Sequence, residues 1–184
     1  MREATLPAAE PDDRALIARW RGGDERAATA LVERHAGPVA RFIASLGGGA
    51  DTEELVQDTF VRAFASLDQF RAHSSLRTWL FSIARNLVRD RARSSRRQPP
   101  IAAVEDATVV TEHDALDELV AGETAQRMRR ALARLTQMQR EVFTLRVSEG
   151  LSYREIADVV GSTEGAARVH YFNAVRAIKE FIDD

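Results

Sequence analysis

Apolar residues recur at intervals of three and four along most of this chain, the period of a helix with one buried face. Leu55, Phe60, Val61 and Phe64 keep that spacing, and Leu76, Leu80, Ile83, Ala84 and Leu87 fall on a single stripe. No run of alternating β-branched residues between turn signals marks a strand. The pattern predicts an all-α protein.

Helix punctuation divides the pattern into elements. "DDRALIARWRGG" predicts a short helix capped by Asp12 or Asp13 and stopped at Gly22-Gly23. Asp24 caps a longer helix that Gly47-Gly48-Gly49 closes, with a kink expected at Pro38. "DTEELVQDTFVRAFASLDQF" follows, with Asp51 or Thr52 as cap and acids in its first turn. "RAHSS" reads as a loop, and Ser74 or Ser75 starts the next helix. From Pro99 to Glu123 the periodicity fails apart from a helical end near Leu116–Val120. A second helical domain begins near Thr124, which gives residues 1–98 and 124–184 as two helical domains joined by a flexible tether at 99–123.

Charge sharpens the division. Residues 71–98 carry eight Arg and one acid, Asp90, whereas residues 99–123 carry seven acids and no base. The chain as a whole has a formal net charge of −2, so the tether balances the basic helix. Arginines packed this closely repel one another, and an external anion such as nucleic acid compensates them. All the basic residues except Lys179 are Arg, which GC-rich coding explains as well as phosphate or guanine recognition does. On the basic helix Thr78, Ser82, Arg85, Arg89 and Arg96 lie opposite the apolar stripe. Trp79, Asn86 and Arg93 share one flank, where an aromatic, an amide and a guanidinium can stack on, read and neutralise unpaired bases. The plainer reading puts Trp79 at the core edge and Asn86 in solvent.

The C-terminal part has sharper stops. Thr136 caps a helix that ends at Glu149-Gly150. Ser152 with Glu155 three residues later is a capping box for "YREIADVV". Gly161 makes a tight turn, and Ser162 or Thr163 caps the last helix. Two helices around a Gly turn, with Ile156, Ala157 and Val160 inward, form a helix-turn-helix. Ala167, Tyr171, Ala174 and Ile178 make the inner face of the last helix. Gly165, Val169, Phe172 and Arg176 face outward beside Arg168 and Asn173. Exposed Val and Phe next to Arg and Asn suit a major groove, where apolar groups meet thymine methyls; packing of Phe172 on the first domain or on a protein partner is the competing reading.

Other chemistries are poorly served. The chain has no Cys, and His35, His73, His113 and His170 lack metal-like spacing. No nucleophile–base pair, metal cluster or phosphate-binding Gly loop is legible, so neither an enzyme nor a cofactor or metal is expected. No apolar run approaches membrane length, and "MREATLPAAEPDDR" lacks a signal-peptide core. A cytoplasmic protein with no membrane insertion of its own is expected.

"DTEELVQDTFVRAFASLDQFRAHSSLRTWLFSIARN" and "LTQMQREVFTLRVSEGLSYREIADVVGSTEGAARV" resemble domains two and four of bacterial sigma-70 factors of the extracytoplasmic-function group. The resemblance covers nearly the whole chain. It implies a transcription initiation factor without cofactor, whose partners are core RNA polymerase, promoter DNA and an anti-sigma factor. It implies that Leu55, Gln57, Asp58, Phe60 and Val61 dock on polymerase. It implies that Phe70, Ser74, Leu76, Trp79 and Asn86 open the −10 element, with Arg85, Arg89 and Arg93 on its backbone. Arg168, Val169, Phe172, Asn173 and Arg176 fall where the family reads the −35 element. The chain departs from the pattern at "VHYFNAVR", where His170, Tyr171 and Asn173 replace some of the cations many members carry. No further domain is expected after Asp184, and with it control by a separate anti-sigma protein is expected.

The tether tests this reading physically. Twenty-five residues span about 28 Å r.m.s. as a coil and roughly 80 Å fully stretched. Promoter elements some 25 base steps apart are separated by roughly 85 Å. Weak promoter binding by the free protein is therefore expected, with polymerase holding the domains apart. Two other functions stay open at this stage: a polymerase-independent, dimeric helix-turn-helix regulator, and a sigma mimic that titrates an anti-sigma protein.

Overall fold

A computed structural model of the chain describes residues 11–47, 49–67, 70, 74–97 and 115–183. These residues form α-helices and one 3-10 turn, with no strand among them. The helices are α1 (Asp13–Arg21), α2 (Glu25–Ser45), α3 (Thr52–Ala65), α4 (Leu76–Arg97), α5 (Ala115–Arg134), α6 (Gln137–Val147), α7 (Tyr153–Val160) and α8 (Glu164–Asp183). The chain divides into two compact units, Met1–Gly37 and Pro38–Asp184.

In the first unit Asp12 caps α1, its carboxylate accepting from the Ala15 N–H at 2.7 Å. Asp24 caps α2 through the Arg26 N–H at 3.1 Å. The Arg19 guanidinium, 2.8 Å from Asp24, holds that carboxyl below the usual range. Asp13 accepts from Arg34 at 2.8 Å and meets the Nε2 of buried His35 at 2.9 Å.

The second unit starts with the C-terminal part of α2, which continues through Pro38 to Ser45. Val39, Phe42, Ile43, Leu55, Phe60, Ala63, Leu76, Leu80, Phe81, Ala84, Leu87 and Val88 are buried. Phe42 and Phe81 meet edge to face at 5.2 Å, a geometry aromatic quadrupoles favour. Arg91 of α4 reaches Glu54 at 2.8 Å and Asp51 at 3.5 Å, which ties α4 to α3. The expected apolar stripe of α4 is its buried face, with Ile83 only half-buried.

The helical end foreseen at residues 116–120 belongs to α5, which starts at Ala115. α5 also takes in residues 121–123, which the sequence pattern assigns to the flexible tether, so the boundary expected near Thr124 falls inside a continuous helix; residues 99–114 lie outside the described residues. Ala131, Leu135, Ala174 and Ile178 join α5 to α8, with Met128, Leu132, Phe143 and Phe181 around them. Reciprocal capping boxes start α6 (Thr136 and Gln139) and α7 (Ser152 and Glu155). Thr163 caps α8 through the Ala166 N–H at 3.2 Å.

Gly161 closes α7 in the left-handed region, at φ 65°. An added Cβ there meets nothing within 4 Å, so its cost is backbone strain alone. Gly161→Ala is expected to cost about 1–2 kcal/mol, read as a melting temperature a few degrees lower.

Candidate nucleic-acid interface

The basic helix α4 starts at Ser75, whose hydroxyl accepts from the Thr78 N–H at 3.1 Å. From that start the flank forecast from the wheel is partly open. Asn86 and Arg93 are exposed, and Trp79 is half-buried with its ring 5.1 Å from that of Phe70. Ser74 and Arg89 are half-buried. Neither Asn86 nor Arg89 has a side-chain partner among the described residues, and Arg93 has only Asp90 at 3.9 Å. Indole, amide and guanidinium thus share an accessible edge. Residues 71–73 of the expected base-capturing loop, and the side chain of Arg96, lie outside the described residues.

Two of the residues expected to touch DNA are not on that edge. Leu76 packs into the core because it belongs to the apolar stripe. Arg85 is also buried, because α6 and α7 cover the face of α4 expected to be free. Its Nε donates to Glu141 Oε2 at 2.6 Å, with side-chain exposures of 6% and 1%. The other Glu141 oxygen accepts from the Gln137 amide at 3.1 Å. Thr78 is buried on the same face and donates to Glu155 at 3.5 Å.

Two turns earlier Arg77 reaches the Glu149 carboxylate at 2.8 Å and donates to the Glu149 carbonyl. Arg41 of α2 meets the same carboxylate at 3.3 Å and 3.5 Å, and no part of the Glu149 side chain reaches solvent. Buried carboxylates of this kind persist only when paired and hydrogen-bonded. Glu141 and Glu149 were missed in the sequence, although a signal was present. Arg77, Phe81 and Arg85 repeat every four residues, and so do Glu141, Leu145 and Glu149.

Glu155 is held below the usual carboxylate range, chiefly by hydrogen bonds from Ser152 and then from Thr78, with Arg77 nearby. A carboxyl depressed on folding contributes stability above its unfolded pKa and loses it as pH falls through the folded one. Glu155→Gln is therefore expected to remove part of the acid-induced loss of stability, seen as a flatter dependence of melting temperature on pH below about pH 5.

The helix-turn-helix places its second helix as the wheel forecast. Ala167, Ala174 and Ile178 are buried, while Tyr171 is half-buried, stacked on Phe143 at 6.2 Å and edge-on to Tyr153 at 5.9 Å. Val169 and Phe172 are exposed at 58% and 66%, so Phe172 does not pack on the rest of the described chain. Arg168 pairs with Glu164 at 2.6 Å and lies 4.7 Å from the centre of the Tyr153 ring, which Arg146 also covers at 4.9 Å. Asn173 is half-buried, and Arg176 is exposed with Glu180 at 3.8 Å. An apolar patch flanked by a positioned guanidinium and an amide has the chemistry that base edges in a duplex groove accept.

On α3 the expected docking residues divide. Leu55 and Phe60 are core residues, because the buried face of α3 runs through Leu55, Thr59, Phe60 and Ala63. They shape the helix from inside and offer no surface. Gln57 is exposed, Asp58 half-buried, and Val61 stands out at 66% exposure. No helix among the described residues is long and apolar enough to cross a membrane.

Comparison with known proteins agrees with this geometry. The family descriptions "Sigma-70 region 2" and "Sigma-70, region 4" match residues 31–98 and 125–178. Over 175 residues the chain is 32% identical to proteins named ECF RNA polymerase sigma-E factor from Salmonella typhimurium and Escherichia coli, covering 90% of this chain and 92% of each relative. A protein of the same name from Haemophilus influenzae is 30% identical over 92% of this chain and 95% of its own. Among solved structures, CnrH in complex with the cytosolic domain of CnrY superposes with a TM-score of 0.69 at 29% identity, over 93% of this chain and 97% of that one. The sigma factor RpoE in complex with the anti-sigma factor NepR, from Bartonella quintana, gives 0.67 at 28% identity, over 84% and 96%.

Proposed function

Because the chain belongs to the extracytoplasmic-function group of sigma-70 factors, we propose that its two open faces divide the work of promoter recognition. The chain is a transcription initiation factor that directs core RNA polymerase to promoters. Residues 1–98 act as sigma domain 2, residues 124–184 as sigma domain 4, and residues 99–123 as the connection. Gln57, Asp58 and Val61 of α3 dock on polymerase. Trp79 and Asn86, with Phe70 and Ser74 beside them, engage exposed bases of the −10 element, and Arg89 and Arg93 hold its backbone. Arg168, Val169, Phe172, Asn173 and Arg176 read the −35 duplex. An anti-sigma factor holds the protein inactive, as the relative bound to NepR suggests for this fold.

The observation that carries this reading is the exposed Phe172 beside Arg168 on the second helix of a helix-turn-helix. A solvated helix face gains nothing from a bare phenyl ring, whereas a groove contact does. The docking part is tested by co-elution with core polymerase. Val61→Asp is expected to weaken that association at least about tenfold, the effect of losing one hot spot. Glu33→Gln, on an exposed site of α2, serves as control. Undiminished co-elution of the Val61 variant would remove α3 from the docking surface.

A further inference from the structure

Side chains from α6, α7 and α8 meet at one aromatic ring. Tyr153 is the first residue of α7, directly after the Ser152 cap. Its half-buried ring stands edge-on to Tyr171 of α8 at 5.9 Å, and Tyr171 stacks on Phe143 of α6 at 6.2 Å. Two guanidinium groups lie over the Tyr153 ring, Arg146 of α6 at 4.9 Å and Arg168 of α8 at 4.7 Å. The two cations differ in what else they touch. Arg146 is half-buried, and its Nη1 donates to the Leu151 carbonyl at 2.7 Å, which anchors it across the corner between α6 and α7. Arg168 is exposed beside Val169 on the open face of α8, and its Nη2 donates to Glu164 at 2.6 Å.

We infer that Tyr153 is a positioning residue, whose ring holds the Arg168 guanidinium in one plane at the edge of α8 and so sets which bases of the −35 duplex Arg168 reads. The inference rests on the promoter assignment above and deepens it with a residue that acts through Arg168. A guanidinium carries its N–H donors in its own plane. Stacking on a ring uses the face of the group and leaves the fork at its rim for two parallel hydrogen bonds to a base edge. Glu164 does not do the same work. It occupies the Nη2 donor itself, and with side chains 60% and 48% exposed the pair contributes little and yields to another acceptor. A long side chain that must be immobilised on binding opposes recognition by the rotamers it loses. Tyr153 removes part of that cost in advance, because its own ring rests on Tyr171 and on the anchored Arg146.

The test uses the full chain with core RNA polymerase and a pool of promoters whose upstream duplex element is randomised. Sequencing the templates that yield transcripts gives the base preference at each position. Arg168→Ala is expected to lower the ratio of preferred to other bases about tenfold at the positions Arg168 reads. Tyr153→Leu is expected to lower it about fivefold at those same positions, while Tyr153→Phe keeps it. In the Arg168→Ala background Tyr153→Leu is expected to change the preference no further. A merely structural Tyr153 would lower the yield from every sequence alike and leave the preference intact, and that result overturns the inference. So does a further loss of preference in the double variant. If Tyr153→Leu lacks helical circular dichroism, the wild type decides by proton NMR. The δ protons of Arg168, identified by their absence from the Arg168→Ala spectrum, are expected upfield through the ring current of Tyr153, and ordinary positions overturn the inference. Failure of the promoter reading looks different: Arg168→Ala then leaves the preference as in the wild type, and the role of Tyr153 falls with that of Arg168.

Discussion

Trp79→Ala/Asn86→Ala is expected to lower open-complex formation by one to two orders of magnitude while co-elution with core polymerase stays as in the wild type. The indole is half-buried and already rests on Phe70 at 5.1 Å, which restricts its plane. A base stacking on such a ring gains roughly 1–3 kcal/mol, and a lost amide contact to a base edge adds a similar amount. Trp79 is not a residue of the core proper, so its loss leaves α4 folded. The measurement is permanganate footprinting of unpaired thymines on a cognate promoter. Undiminished reactivity would return Trp79 to the core edge and Asn86 to solvent.

The second large effect is on stability. Arg85→Ala leaves Glu141 buried without its counter-charge, at a cost of about 3–5 kcal/mol. The chain escapes that cost in one of two ways, by unfolding or by parting α4 from α6. Both lower the melting temperature, and the second also enlarges the radius of gyration. Arg85→Met/Glu141→Leu fills the same space with apolar groups and is expected to recover most of the loss. A single variant as stable as the wild type would mean that the ion pair contributes nothing to the packed state.

The local structure was legible because short-range chemistry dictates it. Thr136, Ser152 and Gly161 each act where the sequence placed them, and Asp12 is the one of two candidate caps, Asp12 and Asp13, that acts, since caps and left-handed turns depend on a few neighbouring residues. The outward face of α8 was legible for a related reason. A helix packed on one side leaves the other side to be read from a wheel, and Val169 and Phe172 stand on it.

The same wheel misled on α4. It identified the apolar stripe and assumed solvent opposite, but that side is buried by charge pairing, which hydrophobic periodicity does not register. Arg85 and Thr78 are buried there by partners more than fifty residues away in sequence. The matching four-residue spacing of Arg77, Phe81 and Arg85 with Glu141, Leu145 and Glu149 was the available signal. Leu55 and Phe60 show a different limit. A family resemblance points to a whole helix as a docking element, whereas buried Leu55 and Phe60 offer a partner no surface and Gln57, Asp58 and Val61 do.

The most direct measurement mixes the purified chain with core RNA polymerase and genomic DNA fragments and maps transcript starts. New starts that share upstream motifs at two fixed distances are expected, and their loss when Phe172→Ala is combined with Trp79→Ala. No new starts from a folded chain that co-elutes with polymerase would contradict a promoter-directing role.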